Sequence, residues 1–437
     1  MPNIKLILVE SRGCLGELCA LGASTWKIEL DADPDNALER ICSFFEERWG
    51  AKVHALRWIF PGDFLLPTKD ESPFLVLHVD NPGKLTSDCV FDRYFSRCET
   101  TLDLEATLMA ASRCSDSEPW SSPQWLADTS EWIVAAFGRD NVRRISQVRA
   151  CSNGAVLRIE TARDTYFMKT VPASVSHETK LLKTLDRYMP GVCPSLLPQR
   201  PDANTHLSRA IRGLPLRMMH DLESWKVALR EVAQLQARSI SLIGKMKESG
   251  VPAQTLSKFA AGLPELLAKL ISMQKGAPNE LDPGELEKLP QLVENATCAS
   301  EVLGECGIPE ALVHGDLNES NLFVTSEGGA ALIDWTFSRI GHPFFALGFS
   351  LFAVAETGHR MHACSEQLRG AYIAPWRAYA SEPQLLAGLD AARRLFWIDT
   401  AQEIGRFVGR TRQLMPGTVA QLPVVLRCAL SSFDLGV

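Results

Sequence analysis

The sequence lacks the cysteine spacing that zinc sites and disulfide frameworks show. It contains twelve cysteines among 437 residues, but no two of them stand as C-x-x-C. Metal sites and compact disulfide-rich domains use tight, repeated spacings. A secretory signal is also missing. Both absences indicate reduced and mostly buried thiols.

Long apolar runs and basic tracts are scarce as well. The most apolar stretch, residues 344–355, is shorter than the roughly 20 residues that span a bilayer, and residues 1–11 do not form a signal peptide. Lysine and arginine are scattered singly and the formal net charge is −7, which argues against nucleic-acid and anionic-membrane partners. We therefore expect a soluble, cytoplasmic protein.

The chain length suits two or three domains. A stretch rich in serine and proline at residues 116–123 predicts a linker. The pattern before it, in residues 1–115, predicts a small α+β domain with a helix at residues 35–49 and with strands at residues 5–9, 25–30, 53–60 and 74–79. This region shows no phosphate loop and no metal cluster. We expect an interaction or regulatory module that binds a protein partner or forms a dimer.

Residues 124–213 are rich in predicted strands, whereas residues 214–437 are mostly helical. Asn153-Gly154 between alternating residues is a strong hairpin signal, because both turn positions need a positive φ. A third strand follows at residues 165–171, and a helix follows at residues 177–188. No internal repeat is present.

One predicted hairpin carries residues suited to chemistry. Apolar residues 311–313 lead into a polar loop that contains Asp316 and Asn321, and apolar residues 331–333 follow a Gly-Gly turn and end at Asp334. The hairpin therefore brings two carboxylates and an amide oxygen to one end. These are ligands that suit Mg²⁺, a hard cation. The alternative is a polar turn that holds two acids by chance.

The same residues resemble a known family. His314-Gly-Asp316, four further residues and Asn321, followed by Ile-Asp-Trp at residues 333–335, are similar to the catalytic loop of the aminoglycoside/choline-kinase-like phosphotransferases. The resemblance covers roughly residues 140–437. It implies a bilobal protein-kinase-like fold of the α+β class, with an antiparallel β N-lobe at residues 124–213 and a mainly helical C-lobe at residues 214–437.

The resemblance also implies a function and the roles of the site residues. An enzyme of this kind moves the γ-phosphate of ATP to the hydroxyl of a small molecule with the help of Mg²⁺. Asp316 is then the catalytic base, and Asn321 and Asp334 hold the metal. His314 is expected to orient the loop.

Three further residues are expected to contact the nucleotide. Lys169 lies in an apolar strand, where a lysine needs a partner, and Glu178 in the first turn of the next helix provides one. The alternatives are a solvated lysine at a sheet edge and a glutamate favoured by the helix dipole. Ser152, in the hairpin turn, replaces the glycine-rich loop of protein kinases and contacts phosphate, unless the turn has no binding role.

The C-terminal region bears on the substrate. Residues 351–437 hold seven acids and nine arginines, a formal sum of +2, which favours a neutral or anionic alcohol over a polycation. Four aromatic residues there either form a cage for a quaternary ammonium group or, as we favour, pack in the helical core: Tyr372, Trp376, Tyr379 and Trp397. His342 follows a Gly-His-Pro pattern of the family, but the acid that comes next in the family is missing. We expect His342 to pack or cap a helix.

Two other functions remain open from the sequence alone. The protein either acts on a protein recruited by residues 1–115, or it is an inactive scaffold that binds nucleotide. The complete set of five residues argues against inactivity: Lys169, Glu178, Asp316, Asn321 and Asp334.

Overall fold

The computed structural model describes most of the chain, namely residues 3–12, 17–20, 25–29, 37–59, 74–80, 85, 96–98, 119–151, 154–197, 204–275, 279–352, 354, 359–411 and 422–434. The chain divides into two compact units. Unit 1 spans residues 1–173 and 197–210, and unit 2 spans residues 174–196 and 211–437. The division of the chain into four segments that the sequence predicts remains a prediction.

The first sheet of unit 1 is formed by β1 (Asn3–Arg12), β2 (Glu17–Ala20), β3 (Thr25–Glu29), β4 (Val53–Ile59), β5 (Phe74–Val79) and β6 (Ser96–Cys98). Its strand order is β4-β5-β1-β3-β6, and β2 pairs with β1. Strands β1 and β5 are parallel, whereas the other pairs in this sheet are antiparallel. The predicted α+β pattern of this region is therefore confirmed.

Helix α1 (Ala37–Trp49) covers one face of this sheet. Its apolar residues recur at helical spacing, so Leu38, Ile41 and Phe45 fall on one side and are buried. They form a small core with alternate residues of β4 and β5, which share one face because side chains alternate along a strand. These residues are Val53, Ala55, Leu75, Leu77 and Val79.

The second sheet of unit 1 is antiparallel in the order β10-β9-β8-β7. Its strands are β7 (Val142–Cys151), β8 (Gly154–Thr161), β9 (Thr165–Thr170) and β10 (Thr205–Arg209). Cys151 pairs with Gly154, so β7 and β8 form the predicted hairpin. The prediction that Gly154 is a turn residue is wrong, because Gly154 is the first residue of β8. Helix α2 (Pro123–Phe137) packs Ile133 against the apolar residues of this sheet.

A buried glutamine side chain is among the connections between the two sheets of unit 1. The Oε1 atom of Gln147 in β7 accepts a hydrogen bond of 2.7 Å from the backbone N–H of Ala55, and its Nε2 atom donates one of 2.9 Å to the carbonyl of the same residue. Gln147 is buried. Its amide therefore pairs with β4 as a neighbouring strand would, at the edge of the first sheet.

Unit 2 is mainly helical. Its helices are α3 (His177–Tyr188), α4 (Leu222–Ser239), α5 (Ile243–Glu248), α6 (Leu256–Ala261), α7 (Leu263–Gln274), α8 (Pro283–Glu287), α9 (Leu289–Gly304), α10 (Ser365–Ile373), α11 (Glu382–Thr411) and α12 (Leu422–Ser431). Asp221 caps α4 by accepting a hydrogen bond from Ser224 N–H at 2.8 Å. The apolar face of α4 carries Trp225, Leu229 and Val232 into the core.

Two small antiparallel sheets interrupt the helices of unit 2. One has the order β11-β13-β14 and the other pairs β12 with β15. The strands are β11 (Gly213–Pro215), β12 (Ala311–Val313), β13 (Leu322–Thr325), β14 (Ala330–Leu332) and β15 (Arg339–Gly341). An antiparallel sheet in unit 1 and a mainly helical unit 2 confirm the predicted α+β, protein-kinase-like fold class.

The aromatic residues of the C-terminal region lie mostly inside unit 2. Tyr372 and Trp376 have no exposed surface, and the hydroxyl of Tyr372 donates to Gln236 Oε1 at 2.6 Å. Trp397 packs against the same core, whereas Tyr379 is partly exposed. The preferred prediction, helical core and not a ligand cage, is confirmed for Tyr372 and Trp376. Among the described helices, none combines the length and the apolar character needed to cross a membrane.

Candidate active site

The predicted hairpin is formed by β13 and β14, and its open end carries the candidate residues. Leu322 pairs with Leu332, so the residues that flank this pair lie side by side. The backbone N–H of Ile333 donates to the carbonyl of Asn321 at 3.0 Å. This bond places Asn321 and Asp334 at the same end of the hairpin, as the sequence predicts.

Asn321 holds Asp316 at two points. The Nδ2 atom of Asn321 donates to the backbone carbonyl of Asp316 at 2.9 Å and to its Oδ2 atom at 3.1 Å. Asn318 donates to the other carboxylate oxygen, Oδ1, at 3.0 Å. Each carboxylate oxygen thus accepts a hydrogen bond from an asparagine of the loop, which fixes the orientation of the carboxylate.

The loop before Asp316 requires a glycine. Gly315 has a φ of +80°, and a Cβ atom at this position would lie 2.2 Å from the carbonyl oxygen of Phe337. Only a residue without a side chain fits such an approach. The Asp316 loop and the segment after Asp334 therefore pack backbone against backbone.

His314 fixes the loop from the inside. It is buried, and its Nε2 atom lies 2.8 Å from the carbonyl oxygen of Ile333. Its ring packs on Trp335 with 4.6 Å between the ring centroids. His314 thus connects the Asp316 loop to the residue before Asp334, in agreement with the orienting role expected from the sequence.

Asp334 adopts a left-handed backbone conformation with a φ of +62°. Residues other than glycine rarely adopt this conformation, and where they do it often serves a site. Its Oδ1 atom accepts a hydrogen bond of 2.8 Å from the hydroxyl of Thr336. The carboxylate is therefore positioned by a side chain that the sequence analysis did not single out.

Glu178 is held by the residues that follow Asp334. It lies in the first turn of α3 and is 1% exposed. One carboxylate oxygen accepts from the backbone N–H of Trp335 at 3.0 Å, and the other lies 2.9 Å from the hydroxyl of Thr336, which donates to one carboxylate at a time. Thr336 thus bridges Glu178 and Asp334. The sequence feature that could have indicated this role of Thr336 is its hydroxyl, two positions after Asp334.

The remaining predicted nucleotide residues lie in unit 1. Lys169 is in β9, where it stands in register with Val156 of β8 and His206 of β10, and it is half-buried. Its pairing with Glu178 stays a prediction. Ser152 lies outside the described residues.

A second acid of the loop, Glu319, ties the loop to other parts of unit 2. Its carboxylate contacts Arg360 and the Nε2 atom of His359, the latter at 2.7 Å. Its backbone carbonyl accepts from Arg217 N–H at 3.0 Å. Sequence analysis missed this contact because its partners are far away in sequence.

His342 caps the short helical turn at residues 343–347. Its side chain accepts a hydrogen bond from Phe344 N–H at 3.4 Å, and its ring packs on those of Phe344 and Phe345. Burial lowers the pKa of His342 to about 3, so the ring is neutral. The prediction of a packing and capping residue is confirmed.

A buried ion pair lies beside the strand that leads into the loop. Arg339 of β15 is paired in register with Val313, and its guanidinium contacts Asp399 at 2.5 Å and Glu403 at 3.3 Å. Burial raises the pKa of Asp399 to about 6, against the opposing effect of Arg339. A charge without its partner would be costly at this depth.

The oxygen donors at the hairpin end fit a hard divalent cation. Asn321 uses its amide nitrogen on Asp316, which leaves its amide oxygen for a ligand. Asp334 adds a half-buried carboxylate. Such oxygen donors suit Mg²⁺, which takes few protein ligands and keeps water or phosphate for the others.

The fold and this hairpin define a kinase-like phosphotransferase. A family model described as "Phosphotransferase enzyme family" matches residues 144–395, more than half of the chain. The match includes the second sheet of unit 1 and the whole hairpin. The chain belongs to this family.

Solved structures to which this chain is similar include three phosphotransferases. Macrolide 2′-phosphotransferase of Brachybacterium faecium is 16% identical, covers 68% of this chain and 97% of its own, and has a TM-score of 0.46. Ethanolamine kinase of Plasmodium vivax is 12% identical, with 70% and 92% covered and a TM-score of 0.45. Choline kinase of Streptococcus pneumoniae is 14% identical, with 67% and 99% covered and a TM-score of 0.42. No curated protein matches the sequence.

Proposed function

We propose that this protein transfers the γ-phosphate of ATP to a hydroxyl group of a small molecule, with Asp316 as the base and with Asn321 and Asp334 as Mg²⁺ ligands. The observation that supports this proposal is the pair of hydrogen bonds that the side chain of Asn321 donates to Asp316. It fixes a carboxylate beside an amide oxygen and a second acid in one hairpin. A polar turn that held two acids by chance would have no need for such an arrangement.

In this reaction Asp316 accepts the proton of the acceptor hydroxyl. The hydroxyl oxygen forms a bond to the γ-phosphorus, the bond from that phosphorus to the bridging oxygen of ATP breaks, and ADP leaves. Because the transition state of phosphoryl transfer is loose, positioning and charge stabilisation provide most of the catalysis. The hydrogen bonds from Asn318 and Asn321 supply the positioning of the base.

Mg²⁺ would neutralise the charge of the phosphate oxygens when bound to Asn321 and Asp334. The protein's own contribution is to orient these ligands. The left-handed backbone at Asp334 and the hydroxyl of Thr336 aim its carboxylate. Lys169, Glu178 and Ser152 are proposed to complete the nucleotide side, with Lys169 on the phosphates.

For the acceptor we propose a neutral or anionic alcohol. Five of the seven acids in residues 351–437 are engaged by arginines and are therefore poorly suited to bind a polycation. These are Glu366, Glu382, Asp390, Asp399 and Glu403. Since Tyr372 and Trp376 are buried, an aromatic cage that includes them is not available for a quaternary ammonium group.

The test is a panel of hydroxylated metabolites scored by ADP release, with the wild type, Asp316→Asn and Glu327→Gln in parallel. Glu327 is an exposed acid in the turn at the other end of the same hairpin, so it is a matched control. We expect some alcohols to stimulate ADP release by the wild type and by Glu327→Gln, but not by Asp316→Asn. Equal stimulation in all three proteins would refute the role of Asp316.

Two alternative functions give different results in the same assay. ADP release that is stimulated only by added protein would indicate a protein kinase. Binding of Mg·ATP without turnover on any acceptor would indicate an inactive scaffold. The hydrogen-bonded Asp316 argues against the second alternative, because an inactive site has no need for an oriented base.

A further inference from the structure

Two histidines and an aspartate meet on the first sheet of unit 1, in a region where the sequence had shown no metal cluster. His54 of β4 and His78 of β5 are direct cross-strand partners, and Asp80 follows the end of β5. The backbone N–H of Asp80 donates to the carbonyl of Lys52 at 3.1 Å. This bond extends the β4–β5 pairing by one step and keeps the Asp80 side chain beside the two rings.

The distances within this His54–His78–Asp80 cluster fit a bound metal. The Oδ1 atom of Asp80 lies 3.3 Å from Nδ1 of His78 and 3.6 Å from Nδ1 of His54. One candidate ligand atom from each residue lies within 4.8 Å of the other two. A tetrahedral site with bonds of 2.0–2.1 Å separates its ligand atoms by about 3.3–3.4 Å. Both measured distances are close to this value.

Burial supports a ligand at this place. Both histidines are 7% exposed, and their ring centroids are 4.8 Å apart. The Nε2 atom of His54 is buried, and within the described parts of the chain it has no hydrogen-bond partner. A buried polar atom without a partner costs free energy, and a purely structural histidine pair would not retain it without compensation. A metal bonded to Nδ1 of His54, 3.6 Å from Asp80, would offset this cost through its bond to the ring and would not itself be a partner for Nε2.

We propose that His54, His78 and Asp80 bind a divalent transition metal ion, and that this ion is Zn²⁺. Two imidazoles and one carboxylate are borderline-soft and hard donors that zinc accepts together. The two distances from Asp80 to the histidines are closer to the tetrahedral value than to the roughly 2.9 Å between adjacent ligands of a small octahedral ion such as Mg²⁺. Asp80 is 44% exposed, so the fourth position of the metal is open to water or to a ligand from a partner.

The proposed metal site lies next to the contact between the two sheets of unit 1. β4 is an edge strand of the sheet as far as the structure describes it. The residue next to His54 is Ala55, whose backbone is hydrogen-bonded to Gln147 of the second sheet. A metal on His54 and His78 would cross-link β4 to β5 immediately beside this junction. The site is built only from residues of unit 1, so it does not depend on the phosphotransfer hairpin in unit 2.

The test uses the full-length protein, stripped of metal and titrated with Zn²⁺ or Co²⁺ in the presence of excess Mg²⁺, which occupies hard oxygen sites. The variants are Asp80→Asn, His78→Gln and the control Asp140→Asn. Asp140 is an exposed acid in a turn of the same unit. Calorimetry measures zinc affinity, and the visible absorption of Co²⁺ reports the coordination geometry.

We expect about one equivalent of Zn²⁺ and a tetrahedral Co²⁺ spectrum in the wild type and in Asp140→Asn. Asp80→Asn should weaken binding by more than roughly tenfold, because even the loss of a group that only supports a ligand costs about that much, and His78→Gln should abolish binding. Because Asp80 is at the surface, Asp80→Asn decides the question even if His78→Gln does not fold. Unchanged affinity in Asp80→Asn, or absorption bands of thiolate-bound Co²⁺, would overturn the proposal.

Discussion

The hydroxyl of Thr336 lies 2.9 Å from a carboxylate oxygen of Glu178, although the two residues are 158 positions apart in sequence. The same hydroxyl also lies 2.8 Å from Asp334. Because a hydroxyl has one hydrogen, it donates to one of the two carboxylates at a time. The contact connects the first turn of α3 to the proposed metal ligand.

Thr336→Val should show how much this contact contributes to the free energy of unfolding and to turnover. Valine keeps the shape of threonine but removes the hydroxyl that lies between the carboxylates of Glu178 and Asp334, and loss of such a buried hydrogen bond costs about 1–3 kcal/mol. We expect this loss in urea unfolding, together with a reduced turnover. Thr336→Ser keeps the hydroxyl and should remain within about 1 kcal/mol of the wild type. Similar losses in the two variants would show that the methyl group, and not the hydrogen bond, is important.

Asp316 and Asp334 should differ in what their removal does. Asp316→Ala should lower phosphate transfer by roughly 10²- to 10⁴-fold, the usual contribution of a general base, and leave Mg·ATP binding largely intact. Asp334→Ala should weaken metal-dependent nucleotide binding itself. Calorimetry with Mg·ATP on both variants measures the difference. An equal loss of binding in the two would refute this division of roles.

Substitution of Gly315 and of Gly328 separates the cost of a positive φ from the cost of a clash in the Asp316 loop. Both have a positive φ, but a Cβ at Gly328 would meet nothing within 4 Å, whereas one at Gly315 would meet the backbone of Phe337. Gly328→Ala should therefore cost only the left-handed backbone, about 1–2 kcal/mol. Gly315→Ala should cost about 1–3 kcal/mol more for the clash, and it should also displace Asp316 and reduce transfer. Thermal unfolding and ADP release measure the two effects.

Asp399 should give the protein a characteristic pH dependence. Its pKa is about 6 in the folded protein, because burial outweighs the attraction of Arg339, and its ordinary value is 3.8. Between these values the folded state binds more proton than the unfolded state, so the contribution of Asp399 to stability increases as the pH falls from about 6 towards 4.

Asp399→Asn removes this titration, and the comparison cancels the effects of other carboxylates. The stability of the wild type relative to Asp399→Asn, measured by urea unfolding, should therefore rise as the pH is lowered through this range. A difference that is constant between pH 4 and pH 7, or that falls with decreasing pH, would contradict the raised pKa of Asp399.

Local patterns predicted a large part of the fold and of the site. Asn321 and Asp334 flank the hairpin of β13 and β14, and Asp316 lies in the loop just before it, so residue spacing alone could indicate that the three residues lie near one another. The helix α1 and the strands β4 and β5 follow from apolar periodicity and were predicted within a few residues. These features depend on neighbours in the chain.

Other features depend on contacts between distant residues. The bonds from Trp335 and Thr336 to Glu178 form only when α3 packs beside the hairpin. His54 and His78 are 24 positions apart, and only the pairing of β4 with β5 makes them neighbours. The spacing of residues along the sequence does not predict such contacts, because they form only when the strands pair in a particular register.

The junction at Gln147 affects how the N-terminal region is best studied. A protein shortened to begin after residue 115 would lose β4, and the buried amide of Gln147 would have neither the N–H nor the carbonyl of Ala55 to bond. It would also uncover Ala150, which packs in the core of the first sheet. Loss of turnover in such a truncated protein would thus reflect a damaged second sheet as well as a missing recruitment module. Single substitutions on the exposed surface of the first sheet separate these two causes.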